Sequence, residues 1–312
     1  MRAVSALNAL LLVVALTTSL ALTWVVAVRD AGSSTRDGVP VEPNVVRDSE
    51  GVDVPVRSYR RIASVSTIAD EVLVDIVEPS RLVAVTRHTL ESGDRPWRFE
   101  GKTGIRTSKD VEAIIALEPD IVFVNGFTDL RHLARMRDAG LNVFNLGAMY
   151  GLETLLPNID QISTVVGARD RGRILADDFE RRMAAVAAGL PDDEKKGAVY
   201  VGIYGDRLYG GTVGTSVHDV LSAAGVVDLA ASAGYTGSPA YSNEQLLSLD
   251  PPWIITNEPG EDALCALSGL KTLRACKERN VRTVDADLMS DPGLGMLRAA
   301  EAVHEVMYPD RG

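Results

Sequence analysis

The chain is poor in the residues that most often carry chemistry. Its 312 positions hold four histidines, two cysteines and only 5% aromatic residues. A dedicated zinc or manganese site needs three or four His, Cys, Asp or Glu ligands. The helical pattern places His132, His218 and His304 on helices and leaves His88 alone in a loop, so binding of a bare metal is disfavoured. Basic residues are also short. With 32 Lys and Arg against 43 Asp and Glu, the net charge is −11. That balance argues against nucleic acid as a partner and against a polybasic grip on anionic lipid. A nucleophile elbow is missing, since Gly214-Thr215-Ser216-Val217-His218 fails the G-x-S-x-G pattern at its last position. Neither a G-x-x-x-x-G-K-[ST] phosphate loop nor a G-x-G-x-x-G fingerprint occurs. The chain is not read as an enzyme and no resident cofactor is expected.

Long apolar runs are confined to one place. Residues 7–28, LNALLLVVALTTSLALTWVVAV, carry no charge and follow Arg2. They read as a targeting segment, either a cleaved signal peptide or a retained N-terminal anchor long enough to span a bilayer. Residues 29–44, rich in Gly, Pro and Ser, form a polar linker. Export puts Cys265 and Cys276 in an oxidising compartment. A disulfide closing the short loop between them would contribute about 3 kcal/mol in the chain-entropy treatment. The alternative is a pair of buried free thiols.

The exported part contains one unit twice. Residues 111–125 read VEAIIALEPDIVFVN and residues 243–257 read NEQLLSLDPPWIITN. Glu112 matches Glu244, Leu117 matches Leu249, Pro119 matches Pro251 and Asn125 matches Asn257. Each copy begins as a short amphipathic helix, breaks at Pro and continues as an apolar run suited to a buried strand. Two similar lobes define a cleft, and clefts between lobes are where small ligands bind.

The same alternation runs along the chain. Val45–Val56 reads as a hairpin. Strands are expected at 62–65, 82–85, 121–125 and 142–145, and helices at 68–77 and 130–139. Short strands alternating with helices indicate a parallel sheet covered on both faces. Residues 151–189 break the rhythm with long helical periodicity, as one kinked helix or two consecutive ones, with Gly167 and Gly172 as weak points. From Gly197 the alternation resumes and ends in a helix at 294–308.

VVRDSEGVDVPV, RIASVSTIADEVLVDIVEPSRLVAVTRH, the paired VEAIIALEPDIVFVNG and NEQLLSLDPPWIITNE, and LKTLRACKERNVRTVDADLMSDPG occur in an order and spacing that resembles one family. It is that of the periplasmic substrate-binding proteins of ABC importers for iron–siderophore, haem and cobalamin. The resemblance covers roughly residues 45–310. It implies an α/β fold of class III periplasmic-binding-protein type, with two Rossmann-like lobes, parallel sheets and a single long linking helix. The lobes would be residues 45–150 and 191–312, with a helical connector at 151–190. The resemblance further implies a monomer that captures a metal–organic chelate, a ferric siderophore first and haem or cobalamin next. The chelate would pass to an ABC permease and its ATPase at the outer face of the cytoplasmic membrane. By motif position Glu112 and Glu244 would dock on the permease, where exposed carboxylates give register and a salt-sensitive encounter rate. A macrodipole role at each helix start is the alternative. The family's lipid-anchor cysteine is missing, so tethering rests on residues 7–28 or is absent. A membrane-anchored sensory module of the same fold is the alternative function.

Ligand contacts should come from loops at the carboxyl ends of the strands. These loops hold Arg87, His88, Trp97, Arg98, Tyr150, Tyr204, Tyr209, Tyr241 and Asn257, a local enrichment in aromatics that suits a large, flat or partly apolar chelate. Arg87, His88, Trp97, Tyr209 and Asn257 are the residues chosen. Arg87 and Arg98 would clamp an anionic siderophore bidentately. Tyr209 would coordinate haem iron or stack, and His88 would be a metal ligand. Each has a plainer reading as a solvated or packing residue. Asp285 and Asp287 are weaker candidates that finish a strand.

Overall fold

The computed structural model describes residues 35–36, 39–40, 44–91 and 95–311. The expected targeting segment at 7–28 lies outside them. Among the described residues no helix is long and apolar enough to cross a membrane. The chain divides into two compact units, residues 1–44 and 45–312. In the first, β1 (Thr35–Arg36) pairs antiparallel with β2 (Val39–Pro40). Everything below concerns the second.

The second unit opens with the expected hairpin, β3 (Val45–Arg47) against β4 (Asp53–Pro55). A five-stranded parallel sheet follows in the order β7-β6-β5-β8-β9. Its strands are β5 (Ile62–Ser64), β6 (Leu82–Thr86), β7 (Thr103–Ile105), β8 (Ile121–Val124) and β9 (Asn142–Asn145). Helix α1 (Thr67–Ile76) starts where the Ser66 hydroxyl accepts from Ala69 N at 3.4 Å. It buries Ile68, Ala69, Val72, Leu73 and Ile76, the stripe that 3.6-residue periodicity requires. Helices α2 (Arg87–Glu91), α3 (Val111–Ala116) and α4 (Leu130–Asp138) complete the lobe. Strand β7 and helix α2 are additions to what periodicity indicated; both are too short to generate a pattern.

The connector is two helices rather than one. Helix α5 (Leu152–Val165) ends at Gly167, whose φ of +68° only glycine adopts without cost, and α6 (Arg169–Ala185) follows. The two pack closely because Gly172 has no side chain. A Cβ there would overlap the Ser163 side chain.

The second lobe carries β10 (Gly197–Tyr204), β11 (Arg207–Tyr209), α7 (Ser216–Ala223), β12 (Val227–Asp228), α8 (Leu229–Ser232), β13 (Ala240–Tyr241), α9 (Asn243–Leu249), β14 (Trp253–Thr256), α10 (Glu261–Ala266), α11 (Arg274–Lys277), β15 (Val281–Thr283), α12 (Ala286–Ser290) and α13 (Met296–Met307). The sheet runs β13-β11-β10-β14-β15, with β12 also on β10. It is parallel across β12, β10, β14 and β15. The hairpin of β10 and β11, extended by β13, adds an antiparallel flank. The structure joins Cys265 to Cys276, across α10 and α11.

One core cluster is shared by both lobes. It takes in Leu73 and Ile76 of α1, Ile159 and Phe179 of the connector, Val220 of α7 and Val303 of α13. Separate clusters fill the far face of each sheet. The Asp219 carboxylate on α7 also accepts from Leu152 N, at the start of α5, at 2.7 Å. A shared dry core and a helix start held from the opposite lobe favour small relative motion.

The duplicated segments are a conformational repeat as well. Each ends its helix with a non-glycine residue at positive φ, Glu118 at 48° and Asp250 at 36°. In the second copy Trp253 stands where the first has Ile121, and Lys196 Nζ at 4.3 Å and the Arg282 guanidinium at 4.7 Å pack on its ring.

Candidate functional site: the cleft between the lobes

Two adjoining compartments open beside the carboxyl ends of the strands, and they share Ser290 and Pro292. The first, of about 480 Å³, is charged. Glu71, His88, Arg95 and Arg98 line it from one lobe and Asp285, Asp287, Asp291 and Arg298 from the other. Asp70 is fully buried outside this lining and accepts from Thr86 N at 3.0 Å, Thr86 Oγ1 at 2.8 Å and Thr89 Oγ1 at 2.7 Å. These bonds fix the turn from β6 into α2 and so the position of His88. Burial outweighs them and pushes the Asp70 carboxyl up to about 7. Burial, reinforced by the charge of Asp291, pushes Glu71 up to about 8. Asp291 is itself raised, chiefly by burial, against the pull of the Gly293 and Gly295 N–H groups. Neutral Glu71 facing Asp291 is the arrangement that two carboxyls in one dry space adopt.

The second compartment, of about 280 Å³, is aromatic. Tyr200, Tyr204 and Tyr209 form one wall, and Met149 and Tyr150 approach from the end of the first lobe. The wall follows from strand geometry. Tyr200, Gly202 and Tyr204 alternate onto one face of β10, and Tyr209 of β11 stands opposite Gly202 in the ladder. The Tyr204 and Tyr209 rings are 6.1 Å apart and tilted by 60°. Arg207 Nη1 donates to Tyr209 Oη at 3.4 Å. None of the described residues lining this compartment carries a charge.

The five residues chosen from sequence separate. His88 lines the charged compartment and Tyr209 the aromatic one. Arg87 lines neither; it is exposed on α2 and faces Glu91 at 3.8 Å. Trp97 is 64% exposed and also lies outside both linings. Asn257 is buried, and its amide accepts from Ile203 N at 2.6 Å and donates to Ile203 O at 3.2 Å. It braces β14 against β10 and lines neither compartment. The Arg87–Arg98 clamp is not assembled either, because Arg98 lines the charged compartment, paired with Asp75, while Arg87 lies outside it. Asp287, set aside as a strand end, lines the cleft from α12. Sequence reasoning passed over Tyr200, Glu71 and Asp291. The alternation Tyr200-Gly202-Tyr204 was a usable signal for the first; the carboxyls left none.

Glu112 and Glu244 occupy the first turns of α3 and α9, at equivalent points of the two lobes. Both are exposed, and their own backbone N–H groups hold their carboxyls below the usual range. Glu112 is not bare, since Arg135 of α4 pairs with it.

The profile of the family described as periplasmic binding protein matches residues 62–304. The chain belongs to that family. The cobalamin-binding protein of Halobacterium salinarum is 26% identical over 236 residues, 72% of this chain and 61% of that protein. The chain thus spans about three fifths of the length of that relative. A Bacillus subtilis protein, YvrC, described as an uncharacterized ABC transporter substrate-binding lipoprotein, is 22% identical over 287 residues, 89% of this chain and 90% of that protein. Among solved structures, a possible iron-binding solute-binding protein of Staphylococcus epidermidis superposes with a TM-score of 0.71 at 17% identity, covering 80% of this chain and 99% of that one. The haem-binding protein HutB of Vibrio cholerae gives 0.68 at 20% identity over 81% of this chain and 99% of that one. These likenesses show the class III periplasmic-binding fold, with a connector of two packed helices in this member.

Proposed function

We propose that this periplasmic binding protein is the substrate-binding component of an ABC importer, and that it captures a flat metal–organic macrocycle between its lobes. The observation that carries the reading is the uncharged wall of Tyr200, Tyr204 and Tyr209 facing Tyr150 across the cleft. Tyrosine rings present large, rigid apolar faces with a polar edge, which suits a macrocycle better than a small ion. Arg87 lies outside the cleft, and Arg95, Arg98 and Arg298 share the charged compartment with Glu71, Asp285, Asp287 and Asp291, so an anionic siderophore would meet carboxyls there as well as guanidinia. The metal is cargo, held by its own organic ligand. The halobacterial relative is a cobalamin-binding protein, and cobalamin is a corrinoid, which agrees with this reading.

The protein acts as an exported monomer outside the cytoplasmic membrane, with residues 7–28 as its signal or anchor. Glu112 and Glu244 seat the loaded protein on the permease, whose ATPase drives uptake. The test is equilibrium titration of the full chain with cyanocobalamin, haemin and a ferric catecholate siderophore, read by visible absorbance. Saturable one-to-one binding of a macrocycle at micromolar concentration or below is expected. Binding of the siderophore alone would contradict the aromatic reading. Tight macrocycle binding with no response from the permease would favour the sensory module.

A further inference from the structure

Met149 and Tyr150 are the only described residues of the first lobe that line the aromatic compartment; the rest of its lining belongs to the second lobe. The spacing between these two sides decides what can lie between them. Both residues directly precede α5 and are fastened to it. Tyr150 N donates to Thr154 Oγ1 at 2.9 Å, and Asn158 Nδ2 donates to Met149 Sδ at 3.0 Å. The start of α5 has no side-chain cap of its own. An N-cap residue ordinarily offers a side-chain oxygen to the first N–H groups of its helix, and Gly151 at that position has none. Asp219 of α7 supplies the oxygen from the opposite lobe, through the bond it accepts from Leu152 N at 2.7 Å. Its negative charge also suits the positive end of a 14-residue helix.

Glycine at 151 is a matter of space. Its φ of 161° is extended backbone, so conformation does not call for it. A Cβ there, however, would overlap the Asp219 carboxylate and stand 3.1 Å from Ser216 N and 3.2 Å from the Thr215 carbonyl carbon. Thr215 and Ser216 line the aromatic compartment themselves. The two lobes therefore meet at the border of that compartment, one residue from Tyr150.

Resting on the macrocycle reading above, we propose that Asp219 is a positioning residue for ligand binding. By capping α5 from the opposite lobe, over a contact that Gly151 keeps close, it holds Tyr150 at a set distance from the wall of Tyr204 and Tyr209. Asp219 lines neither compartment and acts on the ligand through Tyr150.

The test is a double-mutant cycle in the full chain, read with whichever of cyanocobalamin and haemin the wild type binds more tightly. Asp219→Ala should weaken that ligand roughly three- to tenfold, the worth of one aromatic contact. In a Tyr150→Ala background the same change should cost nothing further, because the side chain through which Asp219 acts is gone. Asp219→Asn keeps an oxygen for Leu152 N and should bind as wild type does. Gly151→Ala, whose methyl displaces the Asp219 carboxylate, should reproduce Asp219→Ala with every polar group retained. A purely structural Asp219 would lower the melting temperature and leave affinity alone, or lose affinity equally in both backgrounds. Either result would overturn this inference and leave the functional reading standing. A wild-type chain that binds neither macrocycle would overturn the functional reading, and this inference with it.

Discussion

Replacing Glu71 by Gln should flatten the alkaline part of the stability profile. The group goes from an ordinary carboxylate value of 4.5 to about 8 on folding, through burial and the neighbouring charge of Asp291. The folded protein therefore holds a proton that the unfolded chain has released. The stability that this contributes is fully present below 4.5 and is lost as the pH rises through 8. For a group with these two values, the loss between pH 7 and pH 8.5 is about 1 kcal/mol. For a unit of this size that corresponds to a fall of about 2–4 °C in melting temperature. Asp70, pushed up to about 7, gives up most of its share at lower pH, so this window favours Glu71. The facing charges are Asp291 beyond α12, Arg95 and Arg98 before β7, His88 on α2, Asp285 and Asp287 at α12 and Arg298 on α13. Gln keeps the shape and removes the titration. Calorimetric melts of both proteins from pH 6 to 8.5 would show the slope above pH 7 reduced by that amount in the variant. Equal slopes would refute the assignment of a neutral Glu71.

Other consequences are as direct. Gly172→Ala should cost about 1–3 kcal/mol in urea titrations, because the new methyl overlaps Ser163 between α5 and α6. An unchanged midpoint would mean that the helices are not in contact there. Reducing the bond between Cys265 and Cys276, which are separated by 11 positions, should lower stability by about 3 kcal/mol at constant ligand affinity. Glu112→Lys and Glu244→Lys should leave ligand affinity as it was and abolish stimulation of the permease ATPase in proteoliposomes. Persistent stimulation in the double variant would reduce both glutamates to helix-start residues.

The fold was legible because its signals repeat. Alternation of apolar strands with amphipathic helices, and the duplicated run ending in Leu117-Glu118-Pro119 and Leu249-Asp250-Pro251, are periodic features that survive local noise. The site was less legible, for physical reasons. Asn257 stands at a strand end like a ligand contact, but backbone groups of Ile203 one strand away satisfy its amide, a pairing that no local pattern encodes. Arg87 and Trp97 lie in the expected segment, yet both are exposed and outside the lining that their neighbours His88 and Arg98 join, a side-chain direction that no local pattern encodes. Glu71 and Asp291 meet only through the tertiary fold. Tyr209 stood out because Gly210-Gly211 follow it and mark a tight turn at a strand end. Tyr200 was hidden inside a strand that reads as plain core.

The most direct test of the account is a crystal structure of the full chain with cyanocobalamin. The account predicts the corrin ring between Tyr150 and the wall of Tyr204 and Tyr209. A corrin bound outside the aromatic compartment, with those tyrosines unmoved and untouched, would contradict it.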